Sequence, residues 1–236
     1  GGGEELTKHE KQTSEHLARE LQVAESGKAV PAMTHLEPEW LPFVTQKELV
    51  EESTGVDLNR LLKIGHASVQ IPSSGFHLHK TLDKTFVDYR KKRLEQLAAN
   101  PSEKLLDWAF AEALAVGSLL REEKPTRVRI CGQDVGRGTF SHRHFELVCQ
   151  ESGKKIVPLA DNVVKASGSS LEVVNSFLSE LAVVSYEYGY SIDTPNTLCI
   201  WEAQFGDFFN QAQVAFDTFI SSSLEKWQRP TAMTIL

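Results

Sequence analysis

Between Val173 and Gln213 the chain concentrates residue types that can act on a flat heterocyclic ligand. Glu180 opens a mostly apolar helical stretch and is flanked by Leu178, Leu181 and Val183. An acid buried in such surroundings could share a proton with a ring nitrogen. The competing reading is a carboxylate at a helix amino terminus, favoured there by the macrodipole. Glu187, two turns further on, reads as a partly buried or interface carboxylate. The stretch continues through an apolar strand ending at Trp201-Glu202 to Phe205 and Phe208, spaced i, i+3. That pair is either core or a stacking wall for a flat ring.

A second cluster follows Cys131. Gly132, Gly136 and Gly138 do not give the G-x-G-x-x-G spacing of a dinucleotide loop, and no Walker lysine with its hydroxyl follows. A phosphate nest and a plain strand-to-loop turn both remain open. His142 and His144, taken with Cys131 and Cys149, match no closed zinc pattern, so no metal site is expected. Arg137, His142, Arg143 and His144 within one turn would instead supply positive potential beside a pocket for a carboxylate.

The elements that must position these groups alternate between strand and helix. Asp107 can cap a helix from Trp108 to Leu120, and Arg127 to Cys131 reads as a strand. Ile156 to Leu159 reads as another strand and Asn162 to Ser170 as polar loop. Asn175 or Ser176 could cap the Glu180 helix. Thr197 to Trp201 is a strand, Asn210 to Phe219 a helix, and Ala232 to Leu236 the start of a strand. This order predicts an α/β domain with a mainly parallel sheet and helices on both faces. Residues 105–236 are expected to form that domain, and a last strand with no partner after it suggests a fragment. Residues 53–104 read as a linker with helices, Leu58 to Ile64 and Thr81 to Ala98, around extended Phe76 to Lys80. Residues 1–52 read as a polar extension, a solvated helix or tail leading into a proline-marked linker from Pro31 to Pro42.

Composition narrows the classes. The chain has 236 residues and a formal net charge of −7, which argues against a broad nucleic-acid surface. No apolar run reaches the roughly 20 residues of a membrane span. Three cysteines spaced far apart suggest reduced thiols in a cytosolic, matrix or nuclear setting.

Three blocks together resemble one family. They are GQDVGRGTFSHRH from Gly132 to His144, the segment Asn175 to Ser191, and WEAQFGDF from Trp201 to Phe208. They resemble the thiamine-diphosphate-dependent first component of the 2-oxoglutarate dehydrogenase complex, with a slight lean to its 2-oxoadipate paralogue. The resemblance runs from about Thr54 to the end. It implies the transketolase-like pyrimidine-binding fold. It places Glu180 at the family's cofactor glutamate, which hydrogen-bonds N1′ of the aminopyrimidine and favours the tautomer that takes the C2 proton. It puts Phe205, and less directly Phe208, against the pyrimidine ring, with Leu178 touching it. Gln133, Arg137, His142 and His144 fall where that family lines its substrate pocket.

The resemblance further implies oxidative decarboxylation of a 2-oxo acid, with acyl transfer to the lipoyl group of a transacylase partner. It implies a homodimer, a mitochondrial-matrix setting, and Mg2+ held with the diphosphate by a domain outside this chain. The chain alone is then expected to be inactive. Departures from the family pattern are Phe177 in place of proline, Ser185 and Gln211 in place of glycine, and Ala160-Asp161 in place of an Asn-His pair. Lost glycines at close approaches could shift the backbone. Two rivals follow: a non-catalytic subunit that keeps the fold and pairs with a full-length partner, and another thiamine enzyme such as a transketolase.

Overall fold

Short apolar strands lined up in parallel build the platform for the site. A computed structural model describes residues 2–27, 39–45, 53–103, 106–164 and 168–236. The strands are β1 (Arg127–Gly132), β2 (Leu147–Val148), β3 (Lys155–Ile156), β4 (Ser170–Asn175), β5 (Thr197–Glu202) and β6 (Met233–Ile235). Four of them form a sheet in the order β4-β1-β5-β6, every neighbouring pair parallel. Strand β1 is central, with Ile130 level with Val173 on one side and Ile200 on the other. Strands β2 and β3 form a separate antiparallel hairpin.

Alternation along β1 sends successive residues to opposite faces. Val128 and Ile130 enter one core, where they join Phe110, Ala113, Leu114 and Leu159. Cys131 enters the other, with Trp201, Val183, Val184, Ala212 and Ala215. Both faces of the sheet are therefore covered, as all-parallel sheets require, and the expected α/β architecture is found.

Helix α1 (Gly2–Glu25) lies in a compact unit of its own, Gly1–Glu37, and keeps Leu6, Leu17 and Leu21 exposed. The second unit, Pro38–Leu236, opens with the short helix α2 (Leu41–Thr45). Most of the proline-marked linker lies outside the described residues. Trp40 beside it is buried and donates from Nε1 to the Ile192 carbonyl at 2.9 Å.

Helix α3 (Leu58–Ser68) is capped by Asp57, which accepts from the Arg60 N–H at 3.2 Å. Helix α4 (Lys80–Leu82) continues through a π-helical stretch, Asp83–Asp88, into α5 (Tyr89–Ala99). Ile64 of α3 and Leu94 of α5 are wholly buried in the same core as Phe110. The segment read as a linker thus contributes side chains to the sheet's own core. Asp107 caps α6 (Trp108–Leu119) as expected, accepting from the Phe110 N–H at 2.9 Å.

Four local expectations are corrected. The strand expected over Ile156 to Leu159 ends at Ile156, because Pro158 opens helix α7 (Pro158–Val163), where its fixed φ and missing N–H suit the first helical position. The polar stretch read as loop instead carries α7 to Val163 and starts β4 at Ser170, with 165–167 outside the described residues. The cap of helix α8 (Glu180–Ser191) is Ser179, not Asn175 or Ser176. Asn175 closes β4 level with Gly132, too early in the chain to reach the helix start. Asn210 to Phe219 is not one helix. It divides among a 3-10 turn (Gly206–Ala212), helix α9 (Gln213–Ala215) and a π turn (Phe216–Ile220), followed by α10 (Ser223–Trp227).

Neighbouring residues of α6 test this core. Phe110 is fully buried and Trp108 is 92% exposed. Phe110→Ala is expected to cost about 3–5 kcal/mol, and Trp108→Ala less than about 0.5 kcal/mol. Urea unfolding of both variants checks the pair.

Candidate functional site

Strand order reverses at β1: the chain passes to β4 on one side and then to β5 on the other. Ligands in parallel sheets bind at such a switch, beyond the carboxyl ends of the strands. There, a small hollow is lined by Gly132 and Gln133 after β1, Ser176 after β4, and Glu202 and Gln204 at the end of β5. Glu180, Leu178, Val183 and Trp201 complete it. Its cavity volume is about 10 Å3, room for an edge group or one water and not for a ring. A far larger hollow of about 780 Å3 lies elsewhere, lined by Arg60, Lys63, Glu122, Lys124 and Asn196. It is an open, charged groove that includes Pro125, Thr126 and Asn196, just before β1 and β5 begin. It carries none of the residues singled out above.

Close approach of β1 and β5 shapes the floor. A Cβ on Gly132 would stand 2.4 Å from the Glu202 carbonyl oxygen, so only glycine fits. Glu180 is the first residue of α8 and only 7% exposed. Its Oε1 accepts from Gln133 Nε2 at 3.0 Å, and Oε2 has no partner among the described residues. Gln204 is held by its amide nitrogen, which donates to Asp134 Oδ2 at 3.1 Å. Its Oε1 is buried with no hydrogen-bond partner among the described residues. An orphaned buried acceptor costs on the order of 1–3 kcal/mol, so the hollow favours a donor.

Glu187 on the same helix provides the contrast. It is fully buried, not partly, and Arg129 grips it through Nε and Nη2 at 2.8–3.1 Å. Cys199 also donates to it at 3.2 Å. Burial, with Glu187 next, pushes the Cys131 thiol up to about 12. One buried acid of α8 is thus neutralised by a guanidinium, while Glu180 meets only a neutral amide.

The glycine-rich turn is anchored from beneath. Arg143 was expected beside the ligand pocket; it is instead 2% exposed and belongs to the frame. It donates to Glu112 of α6 at 2.7 and 3.1 Å, to Glu202 Oε1 at 3.0 Å and to the Val135 carbonyl at 3.2 Å. A second bond runs from Nη2 to Glu202 Oε2. Pairing with both acids holds the guanidinium above its ordinary range despite burial. Gly136 N–H donates to Asn175 Oδ1 at 3.0 Å, which ties the turn to β4. Gly138 sits at φ +79°, and a Cβ there would strike the His142 ring at 2.5 Å.

The four residues expected in a substrate pocket separate. Gln133 lines the hollow at Glu180. Arg137 turns back on its own loop, pairing with Asp134 at 3.2 Å and donating to Ser141 Oγ at 2.9 Å. His142 and His144 line another cavity, against Phe86, Tyr89 and Arg90. Burial lowers His144 below its usual range, and Arg90, His142 and Arg137 add to that.

Phe205 and Phe208 do not line the hollow itself. Phe205 is 51% exposed, packs on Phe208 at 6.2 Å and meets Phe140 edge-on at 6.1 Å. The trio forms an exposed aromatic ledge, because the chain leaves β5 before reaching them and climbs away from the sheet. Leu178 does line the hollow and is half-exposed. Sequence reading missed Gln204 and Arg90. Gln204 could have been found from its place two residues beyond Glu202, on the same side of the strand end. Among the described residues no cluster of His, Cys, Asp or Glu is placed to hold a metal ion.

Comparison with known proteins now adds to this geometry. Residues 104–236 match the model of the family described as transketolase, pyrimidine binding domain. The chain belongs to that family. It is also similar to a probable 2-oxoadipate dehydrogenase complex component E1 homolog of Dictyostelium discoideum. That likeness is 46% identity over 220 residues, covering 92% of this chain and 23% of the relative. The 2-oxoadipate dehydrogenase complex component E1 of Homo sapiens is 45% identical over 207 residues, 87% of this chain and 21% of the relative. The 2-oxoglutarate dehydrogenase E1 component of Brucella anthropi is 41% identical over 236 residues, 99% of this chain and 22% of the relative. The chain therefore spans less than a quarter of the length of these relatives.

Within this pyrimidine-binding domain the chain's own packing accommodates the substituted positions. Ser185 and Gln211 lie exposed in helical turns and Phe177 is wholly exposed, so the lost glycines force no backbone shift inside the chain. Asp161 receives the Val157 N–H at 3.3 Å and steadies the start of α7.

Two outcomes follow for the frame. Arg143→Met leaves two acids without their cation and is expected to cost about 3–5 kcal/mol, read by urea unfolding. Burial holds His144 below the ordinary imidazole value of 6.5 when folded. The unfolded state then binds the proton first, so stability is full above that value and falls as pH drops below it. In His144→Gln that acid-side loss should be smaller in a pH series of unfolding curves.

Proposed function

We propose that this chain is the pyrimidine-binding part of a thiamine-diphosphate-dependent 2-oxo acid dehydrogenase component. The observation that carries the reading is Glu180: buried, capped on one oxygen by Gln133, and open on the other toward the hollow at the switch point. The donor set fits an aminopyrimidine. A carboxyl group can share a proton with a ring nitrogen, and the orphaned Gln204 Oε1 can accept from an N–H on a ligand edge.

The hollow admits an edge; Leu178 at its lip and Phe205 on the ledge outside it would flank a ring held above. Gln133 fixes the carboxyl orientation through its amide. Gly132 keeps β1 and β5 close, and Arg143 holds the β5 end that carries Gln204 in place. Leu178, Val183 and Trp201 exclude water from the carboxyl group, which strengthens its hydrogen bonds. When bound, the cofactor supplies the electron sink for decarboxylation.

The parent activity is oxidative decarboxylation of 2-oxoglutarate or 2-oxoadipate with acyl transfer to a transacylase's lipoyl group. The relatives, named as E1 components of 2-oxoadipate and 2-oxoglutarate dehydrogenases, support that reading. The diphosphate and its Mg2+ are held outside these residues. A homodimer fits the exposed apolar cluster around Glu180, namely Phe177, Leu178, Leu181 and Tyr186. The three buried free thiols agree with a reducing matrix compartment.

The test uses the full-length parent protein, loaded with thiamine diphosphate and offered either 2-oxo acid. Glu180→Gln is expected to lower turnover about 10²- to 10⁴-fold. Equal turnover by wild type and variant contradicts the proposal. Turnover of sugar phosphates in place of 2-oxo acids would move it to a transketolase activity.

A further inference from the structure

The cavity that receives His142 and His144 has a volume of about 440 Å3 and shares no lining residue with the hollow beside Glu180. Its walls are Phe86 and Tyr89 from the π-helical stretch and α5, Trp108 and Ala109 from the first turn of α6, and Ser141, His142 and His144 from the turn. Arg90 lies at its base. That volume falls within the range of small-molecule sites.

Arg90 is a buried cation without an anion. It is 3% exposed, and no carboxylate lies within ion-pair distance among the described residues. Its guanidinium is sandwiched between Phe86 at 4.2 Å and Phe110 at 4.9 Å. Among the described residues one hydrogen bond engages it, from Nη2 to the Arg143 carbonyl at 3.3 Å. Burial lowers its pKa to about 10, so it remains charged at neutral pH. Arg143, likewise buried, and Arg129, half-buried, are each gripped by two glutamates. A buried charge with so few partners is expensive.

A second feature converges on the same space. Trp108 and Ala109 are the opening residues of the 12-residue helix α6, whose amino end carries partial positive charge. Asp107 caps that end by accepting from the Phe110 N–H, and its exposed, solvent-screened carboxylate also lines the cavity. Its charge and that of Glu112 are felt by Arg90 at a distance, without contact.

We propose that this cavity is a carboxylate-binding site, in which the Arg90 guanidinium and the first turn of α6 receive a small organic acid between Phe86 and Trp108. A planar carboxylate matches the edge of a stacked guanidinium. Arg90 and a single helix end, with the exposed Asp107 carboxylate nearby, suit one carboxylate group; glutarate can place one end there and leave the other in solvent, whereas phosphate brings both charges to one centre. His144 reports occupancy: its imidazole stands near Arg90, so neutralising that charge shifts its titration upward.

The experiment titrates this chain with glutarate, and separately with inorganic phosphate, at constant ionic strength. Binding is followed by calorimetry and by the pH titration of the His144 ring signals in NMR spectra. Saturable glutarate binding is expected, tighter than phosphate, with the His144 titration moved upward. Arg90→Gln should weaken it by roughly tenfold or more. If that variant fails to fold, the wild-type His144 titration decides alone. No saturable change with glutarate, binding unaltered in a folded Arg90→Gln, or phosphate bound more tightly than glutarate overturns the assignment. Glutarate carries no aminopyrimidine, so the result is independent of the role given to Glu180.

Discussion

Arg143 clamped between Glu112 and Glu202 is the interaction on which the site's geometry rests. It joins the helix that covers one face of the sheet, the carboxyl end of β5, and the carbonyl of Val135 at the start of the glycine-rich turn. Each of these elements alone could shift by an ångström at little cost. Tied to one guanidinium that has lost its water, they move together or not at all. Such a clamp repays its desolvation because both acids use paired, parallel bonds. What it secures is the spacing between Gly132 and Glu202, and hence the small hollow at the switch point.

On that frame, α8 presents two buried acids in different electrostatic settings. Glu187 is satisfied by Arg129 and stabilises the face of the sheet that carries Cys131 and Cys199. Glu180 has no cation among its described partners, and the hydrogen bond it accepts comes from a neutral amide. The difference arises from position. Glu187 lies level with the Arg129 position in mid-strand, whereas Glu180 reaches past the end of β1, where the strand gives way to Gln133. A carboxyl group left short of partners in a nearly dry slot is a binding group awaiting a ligand. The same logic marks Arg90 on the far side of the turn.

Much of the fold was legible because its signals are local. Asp107 precedes an apolar helix, and Arg127 to Cys131 and Thr197 to Trp201 are short apolar runs. Strand β4 was hidden because its polar start, Ser170, reads as loop, and only pairing with β1 reveals it. The division of Asn210 to Phe219 into three helical types reflects packing of Ala212 and Ala215 against Trp201, which no periodicity announces. Glu180 could be singled out by its apolar neighbours. The fate of Arg143 could not: a charged residue beside two histidines reads as pocket lining, and its two glutamate partners lie 31 and 59 positions away. Phe205 and Phe208 look like core in sequence yet form a ledge, because the strand ends before them.

The central claim is a hydrogen bond between the Glu180 carboxyl group and a ring nitrogen of an aminopyrimidine. The most direct measurement is the 15N NMR signal of thiamine diphosphate labelled at N1′, bound to the full-length parent protein. A large shift from the free-cofactor position that disappears in Glu180→Ala is the predicted result. A signal equally displaced in both proteins, or unmoved in either, would contradict it.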